Sequence, residues 1–166
     1  FTATPEAGER RKEVYDGALP SGNAVALLNL LRLSRYTGEA DLEERAFKIQ
    51  KAFSEQVRQF PSGYTQFLSA VDFGLGVSRE VVISGSLGAK EMLDALRSRF
   101  SPNQVLVFRP AGEESAGIDA VAPFAKKYAP IDGKATAYVC SGHSCKDPTT
   151  EVKELLALLG QKNPPP

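Results

Sequence analysis

Three groups of residues combine types and spacings that could do chemistry. The first is Asp16, Ser21 and Asn23, in the stretch YDGALPSGN from Tyr15 to Asn23. An aspartate at a cavity acts as general acid or base, or binds a sugar hydroxyl, with Ser and Asn as hydrogen-bond partners. The same residue types also bond local backbone, Asp in an Asx-turn and Ser as a helix cap. Both readings stand at this point. Glycoside hydrolysis places two carboxylates roughly 5–10 Å apart across the scissile bond. No second acid stands convincingly near Asp16, so its partner would come from elsewhere, or the site only binds.

The second group is Cys140 and Cys145 with His143 between them, spaced C-x2-H-x-C after a β-branched run. A structural zinc takes four protein ligands and a catalytic one three plus water. These three residues are all the Cys and His the chain has, so no metal is assigned. A redox pair or a disulfide is feasible across this loop. The alternative is a buried Cys140 acting as a small hydrophobe and a surface thiol at Cys145. The third group is Ser84, Ser86 and Arg109, at the expected carboxyl ends of strands, where parallel sheets gather ligands. The segment GSLGAK from Gly85 lacks both the phosphate-loop spacing and G-x-G-x-x-G. A helix beginning near Ser86 could hold an anion on free N–H groups, but Ser86 as a plain cap is the favoured reading. No cofactor is implied.

The elements that position these groups follow from periodicity. Ser21 or Asn23 caps a helix running to Tyr36, apolar on two sides: Ala24, Leu27, Leu28 and Leu31 on one, Ala26, Leu30 and Leu33 on the other. Such a helix is expected to be buried on both. Thr37-Gly38 ends it. Asp41 and Glu44 make a capping-box-like start for a second helix with Leu42, Ala46, Ile49, Phe53 and Val57 inward. Pro61 opens a third, with Tyr64, Phe67, Leu68, Val71 and Leu75 as its stripe. Then the period changes. Val81–Ile83, Val105–Phe108 and Ala135–Val139 are short strand runs, each followed by a helical stripe. The first of those stripes is Ala89, Met92, Leu93, Leu96 and Phe100. Alternating short apolar strands and helices predict a parallel sheet.

The chain is therefore read as α/β. Antiparallel N-terminal helices occupy residues 1–76, and a small three-stranded parallel sheet with helices occupies residues 77–166. The arm before Val14 is expected to be extended, and the tail from Asn163 to Pro166 frayed. At 166 residues, 42% hydrophobic and 24% charged, the chain suits a globular protein with one full core or two small ones. Zero net charge argues against a nucleic-acid or anionic-membrane partner. No apolar run reaches the roughly 20 residues of a membrane span. Two cysteines suggest a reduced, cytoplasmic setting. A start at Phe1, with Met92 the sole methionine, suggests a piece of a longer polypeptide. The double-sided first helix predicts an exposed apolar patch or self-association.

Three stretches in series resemble the C-terminal part of the spermatogenesis-associated, thioredoxin-domain family, also called YyaL-like. They are Tyr15–Asn23 running into Asn29–Leu33; Glu80–Ile83 with Phe100–Asn103; and Asp132–Lys134 with Ala137–Cys140 and Cys145. The resemblance implies a long parent with an N-terminal thioredoxin-like domain and a toroid of paired helices like that of six-hairpin glycosidases. This chain would supply the last helices of the toroid and an appended α/β segment. It would serve mainly as a structural or interaction module docked on upstream domains. The alternatives are part of a carbohydrate-active site using Asp16 and Asn23 on a sugar-like ligand, and a thiol-redox element at Cys140 and Cys145.

Overall fold

The computed structural model describes residues 12–142 and 144–160. Most of the expected arm, His143 and the tail from Asn163 lie outside the described residues. Within them, six α-helices, several 3-10 turns and a four-stranded mixed sheet are formed. No helix there is long and apolar enough to cross a membrane.

Helix α1 (Gly22–Thr37) begins where the Ser21 hydroxyl accepts the Ala24 amide at 3.1 Å, which satisfies an N–H left open by the helix start. It ends at Gly38, whose φ of 79° is the left-handed cap that glycine adopts without a Cβ clash. Helix α2 (Ala40–Gln59) follows without a side-chain cap, and Asp41 pairs with Arg45 one turn on rather than closing a capping box. A 3-10 turn at Pro61–Gly63 precedes α3 (Thr65–Leu75). Ala24, Leu27 and Leu31 of α1 are buried with Ala46 and Val57 of α2 and Phe67, Ala70 and Phe73 of α3.

Two expectations about these helices are corrected. The inward face of α3 is Phe67, Ala70 and Phe73, and Leu68 and Leu75 lie outside. The cause is a close approach: a Cβ on Gly74 would sit 3.1 Å from Leu31 Cδ1. Small residues at 70 and 74 set α3 tight against α1 and turn Leu68 away. The second stripe of α1 is not buried either. Ala26 and Leu30 are half-buried and Leu33 is 48% exposed, because α2, α3 and the sheet cover one arc of the helix.

The sheet has strand order β2-β1-β3-β4, with β1 (Arg79–Ser84), β2 (Gln104–Arg109), β3 (Thr136–Ser141) and β4 (Ser144–Cys145). Strand β1 is central, and Val81 to Ser84 are all buried. Side chains alternate across the pleat. Val81 and Ile83 face α4 (Ala89–Arg97) and α6 (Val152–Leu158), while Val82 faces Ala122, Ala125 and Tyr128. Val105 of β2 joins the helical core instead, so helices and sheet share packing. Helix α4 ends at Arg97, which leaves Phe100 beyond it and 93% exposed, not in its stripe.

The expected all-parallel sheet is wrong in one strand. Strand β2 runs parallel to β1, but β3 runs antiparallel, with Ser84 at the end of β1 opposite Thr136 at the start of β3. Helix α5 (Ala116–Val121) has six residues and so rises only about 9 Å. A six-residue strand such as β1 spans about 20 Å. The segment between β2 and β3 holds no long crossover helix and returns the chain to the end it left, so β3 enters head-to-tail with β1. A fourth strand, unexpected from sequence, is the two-residue β4, which pairs Cys145 with Cys140. Leu31→Ala should cost about 2–5 kcal/mol of unfolding free energy, from the lost apolar transfer and the cavity left behind. Urea denaturation measures it, and a loss under about 1 kcal/mol would contradict this packing.

Candidate functional site

Asp16, Ser21 and Asn23 are close in sequence but turn to backbone. Asp16 Oδ1 accepts the Ser21 amide at 2.8 Å and Oδ2 accepts the Phe67 amide at 3.1 Å. Its own amide donates to the Gly63 carbonyl at 2.9 Å. One carboxylate thus ties the segment before α1 to the start of α3. Asn23 Nδ2 donates to the Glu13 carbonyl at 2.6 Å, and the Ser21 hydroxyl is the α1 cap. With both carboxylate oxygens held by amides, Asp16 is arranged to order the chain.

The strand-end residues are likewise engaged. The buried Ser84 hydroxyl donates to the Tyr128 carbonyl at 2.8 Å. The Ser86 hydroxyl accepts the Ala111 amide at 3.0 Å. It does not cap α4, which starts at Ala89 after Gly88. Arg109 forks onto Asp119 of α5, with Nε to Oδ1 at 2.7 Å and Nη2 to Oδ2 at 3.0 Å. The guanidinium, with help from the Ser115 hydroxyl, holds the Asp119 carboxyl below the usual carboxylate range. These bonds fasten the segment after β2 over the strand ends where a ligand crevice was expected.

The residues that do converge on a cavity lie at the opposite end of β1. Cys140 and Cys145 are joined as a disulfide, their Cα atoms 3.9 Å apart. Neither is the free thiol of the simpler expectation, and while the bond stands neither sulfur is a thiolate ligand. Cys140 is buried and Cys145 exposed. Both line a cleft of about 390 Å³ between the helices and the sheet. Tyr128 reaches in from the segment after α5, its hydroxyl 3.5 Å from each sulfur. The ring is fixed by the Ser84 bond to its carbonyl and by Tyr138, whose ring centroid is 4.7 Å away. Lys127 Nζ sits 4.9 Å from the Tyr128 ring centroid. Across the cleft Arg35 bridges Glu43 of α2 at 2.9 Å and Glu80 of β1 at 3.4 Å.

Sequence reasoning found the two cysteines but missed Tyr128, Lys127 and Arg35. Nothing in the local pattern marks them. Tyr128 comes near Cys140 only because β3 runs back beside β1.

Over 153 residues the chain is 33% identical to a human protein, in a match that takes in 90% of this chain and 19% of the relative. Over nine-tenths of its length the chain is similar to this relative, spermatogenesis-associated protein 20. The mouse protein of that name is 32% identical over 155 residues, 92% of this chain and 20% of its own length. The rat protein gives the same identity and coverage. The chain thus spans about a fifth of the length of the curated relatives it matches. No family model matches the chain. No solved structure gives a significant match.

Asp16→Ala should cost about 1–3 kcal/mol, because it leaves two part-buried amides without their acceptor, with α3 the first element to lose hydrogen-exchange protection. Unchanged protection of the Phe67 amide would contradict that role. For Asp119 the folded-state pKa is depressed. Its stabilising effect is therefore complete above the unfolded aspartate value of about 3.9 and is lost as pH falls through the lower folded value. Thermal melts of Asp119→Asn and the unsubstituted chain should differ at neutral pH and converge below that window.

Proposed function

We propose that this chain is a C-terminal packing segment of a longer polypeptide of the spermatogenesis-associated, thioredoxin-domain family. Helices α1 to α3 are the last helices of its toroid, and the sheet half is appended to them. In this reading the parent is cytoplasmic, and its thioredoxin-like domain lies upstream. The observation that carries the reading is an open apolar surface. Leu28, Leu68, Phe73, Phe100 and Pro102 line a groove of about 500 Å³ between α1, α3 and the loop before β2. Phe100 at its rim is 93% exposed, and Val25 and Leu33 are further exposed apolar side chains of α1.

Two pairs of polar groups around the groove are already bonded. Arg32 Nη2 donates to the Pro102 carbonyl at 2.6 Å, and Asn103 Nδ2 to Asp72 Oδ2 at 2.7 Å. That leaves an apolar floor whose burial by a neighbour would be favourable. The similarity supports another segment of the same polypeptide as that neighbour, since nine-tenths of this chain matches a fifth of each relative.

The test is made in the full-length parent carrying Phe100→Cys. A bulky maleimide should label that cysteine roughly tenfold more slowly in the native parent than in urea, read by mass spectrometry of its peptide. Equal rates would mean that nothing sits on the groove, and the reading would fall.

A further inference from the structure

A cross-link stabilises chiefly by restricting the unfolded chain, and more so the longer the loop it closes. Cys140 and Cys145 are five positions apart. They already face each other in an antiparallel ladder, and the Lys146 amide donates to the Val139 carbonyl at 2.9 Å. The bond therefore closes a loop that the hairpin has closed without it. Its placement gives it something else, which is access. Cys145 is exposed, Cys140 is buried behind it, and both border the cleft of about 390 Å³. A disulfide carries no S–H, so of the groups 3.5 Å apart only the Tyr128 hydroxyl can donate. The cation over the Tyr128 ring makes that hydroxyl a better donor.

We propose that Cys140–Cys145 is a thiol–disulfide exchange site reduced by a low-molecular-weight dithiol that enters the cleft, with Tyr128 as the donor to the departing sulfur. The cleft has the volume of a small-molecule site and is walled by α1, α2 and the segment carrying Lys127 and Tyr128, which favours a small reagent over a protein one. A thiolate of the dithiol attacks Sγ of Cys145, the more exposed of the two residues. The bond between the two cysteine sulfurs breaks, and its electron pair leaves on Sγ of Cys140. The Tyr128 hydroxyl donates to that thiolate, and a better-stabilised leaving thiolate departs faster. The second thiolate of the dithiol then attacks its own sulfur in the mixed disulfide and expels Cys145. Two electrons pass from the dithiol, now a cyclic disulfide, to the cystine, and the dithiol's two protons end on the two cysteines through solvent.

The 166-residue chain is treated under native conditions with dithiothreitol, and free thiols are counted over time. The rate should rise in proportion to dithiothreitol. Tyr128→Phe should lower the second-order constant about tenfold, the worth of a hydrogen bond to a charged group, at an unchanged melting temperature. If Tyr128→Phe does not fold, Lys127→Gln is read in its place: this exposed side chain leaves the core alone, and its loss should slow the reaction severalfold. A rate that levels off at the unfolding rate would mean a purely structural cystine and overturn the proposal. A Tyr128→Phe constant equal to the original, an unaffected Lys127→Gln, or faster reduction by a protein dithiol than by dithiothreitol would each overturn it too. None of these outcomes bears on the groove beside Phe100, so each reading fails on its own evidence.

Discussion

Much of this molecule depends on the direction of one strand, β3. After β2 the chain forms only the short α5 and some 3-10 turns, and no long crossover helix stands between β2 and β3. It re-enters the sheet from the end it left, and β3 must run against β1. With a full crossover helix, Cys140 would have ended beside Ser84 and Arg109. Instead it lies opposite Glu80, near the beginning of β1 and facing α1 and α2. The reversal moves the disulfide from one end of the sheet to the other and creates the cleft it borders.

The rest of the structure holds that arrangement in place. The segment between β2 and β3 is fastened by several bonds, among them the Arg109–Asp119 fork and the buried Ser84 bond to the Tyr128 carbonyl. The second bond sets where the tyrosine ring can lie. The helical and sheet halves meet through Val105 in the helical core and Tyr36 against both clusters. Around that apolar contact, Arg32, Asn103 and Arg35 each reach from one half to the other. The Arg35 pairs are part-exposed and contribute little energy singly. Their effect is to orient the helices against the strand.

The local structure was largely legible in the sequence. The first helix with its Ser21 cap and Gly38 terminator, the inward stripe of α2 and all three main strands follow from periodicity and from the residues that start and stop elements. What could not be read came from tertiary distances. Strand direction depended on the end at which the connection after β2 re-enters the sheet. The face of α3 depended on the contact of Gly74 with Leu31. The site was half legible for the same reason. Two cysteines at short spacing announce a pair, but a tyrosine twelve positions earlier says nothing until the fold sets it there. The polar cluster at Asp16 was visible as a cluster, and its direction was not: its oxygens face amides of its own chain.

The two-residue β4 carries one more consequence. A sheet border invites foreign chains to add on when it offers a long row of open amides and carbonyls. This border is only Ser144 and Cys145, covalently clamped to the strand inside it. A fringe so brief, continued along β3 by the bonds of Lys146 and Thr149, gives an intruding segment little to register against.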